Sequence, residues 1–119
     1  MDHLLAQPWV GASWEGFVVE QVLGHLSAWG AAVNAYHLRT SDQYEIDLVL
    51  EVEGRRWAIE TKLTSSPSVD DLRRASKAAS FAKADRVALV SRTADEIDSE
   101  TVLSTNITGL LRRLGKPLQ

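Results

Sequence analysis

Four ionisable residues have types and spacings suited to a single piece of chemistry: Glu15, Asp47, Glu60 and Lys62. Residues 44–52, YEIDLVLEV, alternate with period two, setting Tyr44, Ile46, Leu48, Leu50 and Val52 on one face and Glu45, Asp47, Val49 and Glu51 on the other. RRWAIETKL, residues 55–63, alternates in the same way, and Glu53-Gly54 between the two runs reads as a two-residue hairpin turn. With that turn Val52 faces Arg55, Glu51 faces Arg56, Asp47 faces Glu60 and Glu45 faces Lys62. Directly opposed side chains lie about 5 Å apart at Cβ, where like charges destabilise a sheet. Asp47 against Glu60 is therefore unfavourable unless a divalent cation reverses the sign. A hard cation such as Mg²⁺ or Mn²⁺ prefers carboxylate and carbonyl oxygens and keeps several waters. Lys62, on the same face as Glu60, is placed to orient or deprotonate an attacking water or to meet charge on a phosphate. Together these are the parts of a phosphodiester-hydrolysing site.

Glu15 is drawn in by a different argument. At 100° per residue, Trp14, Phe17, Val18, Val19, Val22, Leu26 and Trp29 form one apolar stripe on a helix, and Glu15 falls inside it. A carboxylate on a packed face requires a cation, a metal or several donors. Glu20 falls on the opposite, solvent side. The other two hairpin pairs have a simpler explanation: Glu51 with Arg56, and Glu45 with Lys62, can be solvated ion pairs worth under about 1 kcal/mol each.

The elements that must position these residues follow from pattern. Residues 1–12 contain Pro8 and Gly11 and read as a lead-in, with the single domain over 13–119. Ser13 is the expected N-cap of a first helix that Gly30 stops. AAVNAYHLRT suits a first strand, followed by a polar break at Ser41, Asp42 and Gln43. After the hairpin and a TSSPS loop, Ser68 and Asp71 form a capping box for a helix over 69–82. RVALVS reads as a buried strand, TVLST as a short one, and NITGLLRRLG as a closing helix capped by Asn106, stopped by Gly115 and followed by Pro117. The order describes an α/β fold, a mixed sheet flanked by helices.

Composition sets the outer bounds. With 119 residues, one domain is expected. The chain has no Cys, which removes disulfides, thiolate metal sites and thiol nucleophiles and fits a reducing, cytoplasmic setting. No apolar run approaches the roughly 18 residues of a membrane span. The net charge of −3 argues against a polycation that coats nucleic acid. Yet Asp42, Glu45, Asp47, Glu51, Glu53 and Glu60 concentrate in one short stretch, and a bound Mg²⁺ would change the local balance.

Asp47 followed by Glu60-x-Lys62, within EIDLVLEVEGRRWAIETK, resembles the signature of the PD-(D/E)XK, or restriction-endonuclease-like, nuclease superfamily. An earlier helical Glu such as Glu15 is typical of its branch containing Holliday-junction resolvases and RecB-type nucleases, and αβββαβ is its core order. The stretches VGASWEGFVVEQVL, HLRTSDQYEIDLVLE, AIETKLTSSPSVDDL and DRVALVSRT look like the C-terminal nuclease-like domain of uncharacterised function that follows the ATPase module of many AAA-type ATPases. The resemblance implies a DNA nuclease with Asp47, Glu60 and Glu15 as metal ligands and Lys62 as the catalytic cation. It also implies an AAA-type ATPase domain as a partner. This chain has no G-x-x-x-x-G-K-[ST] loop, so ATP hydrolysis is not expected of it.

Two further readings stay open: a catalytically silent module that binds nucleic acid or protein and steers an attached ATPase, and a purely structural homo-oligomerisation domain. Arg73 and Lys77, one turn apart on the second helix, are the candidate nucleic-acid contacts, against the simpler view of a solvated helix face. Arg112 and Arg113 suit the C-terminal end of a helix dipole. His3, His25 and His37 have no metal-ligand spacing, and His25 is expected to be a satisfied core or boundary residue. Ser41, Ser65 and Ser66 lack the partners of a serine nucleophile. Trp14 and Trp57 are expected on packed faces, and Trp9 at an interface.

Overall fold

A computed structural model of the chain describes residues 10–39 and 45–114, with side chains from residue 14 onward. Residues 1–9 of the expected lead-in, with His3 and Trp9, the polar break at 41–43, Tyr44, and the stop at Gly115 and Pro117 lie outside the described residues. The elements run α1 (Val10–Trp29), β1 (Val33–Arg39), β2 (Glu45–Val52), β3 (Arg55–Thr61), α2 (Val69–Ala82), β4 (Arg86–Val90), β5 (Ile97–Asp98), β6 (Val102–Thr105) and α3 (Ile107–Leu114). The expected α-β-β-β-α-β order is the order found. Two details differ. Helix α1 begins at Val10, so Ser13 lies inside it and is not its N-cap; Gly11 within a helix costs about 1 kcal/mol relative to Ala, too little to stop one with an apolar stripe to bury. The two-residue β5 carries too short a pattern to read.

Six strands make one mixed sheet in the order β1-β2-β3-β4-β6-β5. β1, β2 and β3 are antiparallel neighbours, whereas β4 runs parallel to both β3 and β6. Antiparallel neighbours need only a tight turn, here Glu53 at φ 53° and Gly54 at φ 79°, both left-handed as a type I′ turn requires. The parallel pair β3–β4 needs a crossover, which α2 supplies.

Helices α1 and α3 share one core with the sheet, in which Val18, Val22 and Leu26 of α1 and Leu110 and Leu114 of α3 meet Leu48, Leu50, Trp57 and Ile59. On the other face α2 presents Ala75, Ala78, Ala79 and Ala82 to Val49, Ala58 and Val87. Four alanines let that helix lie close to the strands. Because both faces are covered, β4 is buried at four of its five positions, as its apolar sequence suggests.

The alternation expected of β2 breaks once. Between the pairs Tyr36–Val49 and Leu38–Ile46, β1 advances two residues while β2 advances three, so β2 carries one extra residue. Such a bulge reverses the faces beyond it. Ile46 accordingly packs with Val49 and the α2 cluster, not with Leu48 as strict period two requires. The extra residue falls at Asp47 and Leu48.

Candidate active-site cleft

The hairpin register is the expected one: Val52 opposes Arg55, Glu51 opposes Arg56, and the pairing continues to Leu48 opposite Ile59. One step beyond that last pair stand Asp47 and Glu60. They lie where β2 bulges and its register with β3 ends, while β3 keeps its pairing with β4, Glu60 aligning with Leu89 and Thr61 with Val90. The strands open there into a cleft of about 410 Å³, between the start of α1 and the start of α2. Glu15, Glu45, Asp47, Glu60, Lys62, Asp71 and Arg74 line it, together with Trp14, Thr61 and Leu63. All four residues singled out for chemistry are thus brought to one cavity.

Asp47 is anchored by its neighbour across the hairpin. Both the backbone N–H and the Oγ1 hydroxyl of Thr61 donate to its Oδ2, each at 2.8 Å. Glu60 is half-buried, and its carboxyl is pushed up to about 8, first by burial, then by the charge of Asp47 and a hydrogen bond shared with it, and further by Glu15 and Glu45. Glu15 is also half-buried and its pKa is raised, by burial first and then by Asp47; His37 acts in the opposite direction. Three carboxyl groups therefore repel one another across a partly desolvated space. Among the described residues, however, no group of three or more His, Asp or Glu is arranged to hold a metal ion. Glu20 faces solvent, as its place on the wheel requires.

Lys62 does not meet Glu45. Its Nζ lies 3.5 Å from Asp71 Oδ1, while Glu45 pairs with Arg39 of β1. The alternation places Lys62 beside Glu45 only while both strands continue, but β3 ends at Thr61, and α2 brings a carboxylate that strand register cannot foresee. Asp71 also completes the capping box, accepting from Ser68 N at 2.9 Å while its own N–H donates to Ser68 Oγ at 3.0 Å. The Ser68 amide, more than Lys62, holds the Asp71 carboxyl below its ordinary range. Glu51 and Arg56 form the expected ion pair, with Nη2 2.9 Å from Oε2. Arg56 Nη1 also donates to Ala82 O at 2.8 Å, tying the hairpin to the end of α2.

The two cations expected to meet nucleic acid do not line the cleft. Arg73 is exposed and donates to Asp70 at 3.0 Å, and Lys77 likewise lies outside the lining. Arg74 lines it instead. Residues 71, 74, 75 and 78 share one helical face, so the alanines that mark the buried side of α2 also locate the arginine beside it. Trp57 is buried at 6% exposure, with the Arg86 guanidinium 5.5 Å from its ring. Phe17, expected to pack, is 44% exposed. His25 departs from expectation as well: its Nε2 is buried and finds no hydrogen-bond partner among the described residues.

Comparison with known proteins places the chain in a family. Residues 10–108 match the family described as "Domain of unknown function (DUF4143)". Uncharacterised proteins from Mycobacterium bovis and Mycobacterium tuberculosis are each 47% identical to the chain over 62 residues, which is 52% of this chain and 13% of each relative. The matched stretch therefore spans a small part of those longer proteins. No solved structure matches the chain. The chain belongs to the DUF4143 family.

Proposed function

We propose that this member of the family is a divalent-cation-dependent, nuclease-like domain that hydrolyses phosphodiester bonds of DNA, and that it forms the C-terminal part of an AAA-type ATPase. The reading rests on the superfamily signature Asp47, Glu60-x-Lys62. The observation that carries it is the crowding of Glu60 against Asp47 and Glu15, with a carboxyl pushed up to about 8. Burial and proximity of like charges explain that value, and a cation placed among the carboxylates reverses it.

The donor set fits Mg²⁺ or Mn²⁺, since every side chain in question offers oxygen and such an ion needs only one or two carboxylates beside its waters and substrate. Asp47 and Glu60 are the ligands, and Glu15 contributes a third negative charge. Bound there, the ion supplies a nucleophile at neutral pH and stabilises charge on the phosphate. The protein's own contribution is positional. Thr61 fixes the orientation of Asp47. Lys62 is 51% exposed and held at 3.5 Å by a single carboxylate, loosely enough to turn toward a phosphate oxygen. Arg74, on the α2 wall, offers a guanidinium to the backbone of the strand.

Incubation with branched, single-stranded and duplex DNA in Mg²⁺ or Mn²⁺ tests this. Cleavage lost in Lys62→Ala is the expected result; no cleavage of any substrate, or cleavage unchanged by that substitution, overturns it. The Lys62–Asp71 ion pair favours one competing reading, a silent nucleic-acid- or protein-binding module steering an attached ATPase, because it draws the catalytic cation away from Glu60. That reading expects a saturable Mn²⁺ site, lost in Asp47→Asn, without hydrolysis.

A further inference from the structure

The carboxylate floor and the α2 wall, which carries Asp71 and Arg74, leave one side of the cleft unexplained. Trp14 lines it at the start of α1, and Phe17, one turn along, stacks on Trp14 with ring centroids 5.7 Å apart and planes 25° from parallel. Only part of this aromatic pair belongs to the core. Trp14 packs against the α1 cluster and its Nε1 finds no partner among the described residues, while Phe17 is 44% exposed. Leu63, 40% exposed, lines the cleft as well. A cavity of about 410 Å³ thus has an apolar, partly aromatic side, while Lys62 and Arg74 carry its positive charges.

We propose that Trp14, which lines the cleft, and Phe17, stacked on it outside the lining, form a stacking platform at the cleft edge for an unpaired nucleobase, with Arg74 receiving the adjoining phosphate, so that the cleft selects single-stranded DNA, or an unpaired stretch in a branched one, over continuous duplex. The inference rests on reading the cleft as a phosphodiester site, and it assigns that site a substrate class. Aromatic rings recognise any base, because every base presents a π-face, but a base inside a duplex has both faces covered by its neighbours. Phosphate contacts alone do not distinguish the two forms in this way. An apolar side facing the Arg74 guanidinium therefore suits a nucleotide whose base has left the stack. The volume also lies within the range of clefts that enclose small ligands, roughly 300–1,000 Å³.

The test is the affinity of the whole chain for a labelled oligothymidylate and for a duplex of equal length, measured in EDTA and again in Ca²⁺. Wild type is expected to bind the single strand at least about tenfold more tightly. Phe17→Ala, which removes an exposed ring, is expected to weaken single-strand binding by roughly 5- to 100-fold and to leave duplex binding nearly unchanged. Arg74→Ala is expected to weaken both and to lower the salt dependence of each. Equal affinity for the two forms, no binding of the single strand in either condition, or equal losses for both forms in Phe17→Ala would overturn the proposal. Failure of the nuclease reading is seen separately, as absence of Mn²⁺-dependent cleavage with the strand preference intact.

Discussion

Glu60 and Asp47 are adjacent in register and opposed in electrostatics, and the consequence is a pH dependence of definite sign. Unfolded, the Glu60 carboxyl loses its proton near its ordinary 4.5; folded, it holds it to about 8. Between those values the folded chain binds more protons than the unfolded one, so stability falls as pH rises through the window and levels off above it. The loss is on the order of a few kcal/mol, since every tenfold difference in proton affinity corresponds to about 1.4 kcal/mol and solvent screening reduces the sum. Denaturant unfolding at pH values across the window should show that decline, and Glu60→Gln should flatten it. Asp71 acts the other way and elsewhere: held below its ordinary 3.8, it contributes above that value and its contribution is lost only on further acidification. The two groups are therefore separable in one titration. Thr61 is the residue beside this pair that no charge pattern marks. It donates to Asp47 twice, and a hydrogen bond to a charged group is worth about 1.5–3 kcal/mol. Thr61→Val keeps the backbone bond and loses the hydroxyl. It should weaken Mn²⁺ binding in calorimetric titration, with Thr61→Ser restoring it.

At the scale of elements, α2 links stability to the site through its first turn. Ser68 and Asp71 satisfy two otherwise unpaired backbone donors, and the same Asp71 holds Lys62. Ser68→Ala should cost about 1 kcal/mol by denaturant unfolding, as loss of an N-cap does. Gly109 in α3 sets a second constraint: a Cβ there would collide with Thr105 Oγ1 and Glu96 Oε2, which are hydrogen-bonded to each other. Gly109→Ala should therefore destabilise by about 1–3 kcal/mol, mostly from Thr105, which is fully buried and less able to yield than the end of Glu96. These local features also show what was legible in advance. The hairpin register, the bounds and capping box of α2, and the stop at Gly30 (φ 84°) follow from residues near one another in sequence, and they appear as expected. The bulge that sends Ile46 to the other face was not legible, because it depends on how β1 pairs with β2. Nor was the Lys62–Asp71 pair, or the choice of Arg74 over Arg73, since both follow from where α2 crosses the sheet. Strand alternation brought Asp47 and Glu60 together on paper; only the crossover shows which cations share their cavity.

Across the whole molecule, the cleft sits where the two structural layers part, with α1 on one side of the sheet and α2 on the other. Its floor belongs to β2 and β3, neighbouring strands that both cores hold in place. A ligand bound among Glu15, Asp47 and Glu60 therefore bridges the layers, and its binding energy adds to the stability of the entire fold. A cation that binds the folded state alone contributes about 2.7 kcal/mol when present at a hundred times its Kd. For a domain of this size that corresponds to a rise in Tm on the order of 10 °C. Repulsion among the three carboxyls strengthens the coupling, because it destabilises the cation-free fold and is relieved on binding. The proton on Glu60 competes for the same place, so the rise in Tm on adding Mn²⁺ should be small near pH 6 and should grow as pH approaches about 8. Calorimetric scans of wild type with and without Mn²⁺ at several pH values check this. Asp47→Asn should abolish the rise at every pH and, by removing one repelling charge, should leave the cation-free protein no less stable than wild type above neutrality. A Tm rise that persists in Asp47→Asn would place the ion elsewhere, and a rise independent of pH would mean that Glu60 is not among its ligands.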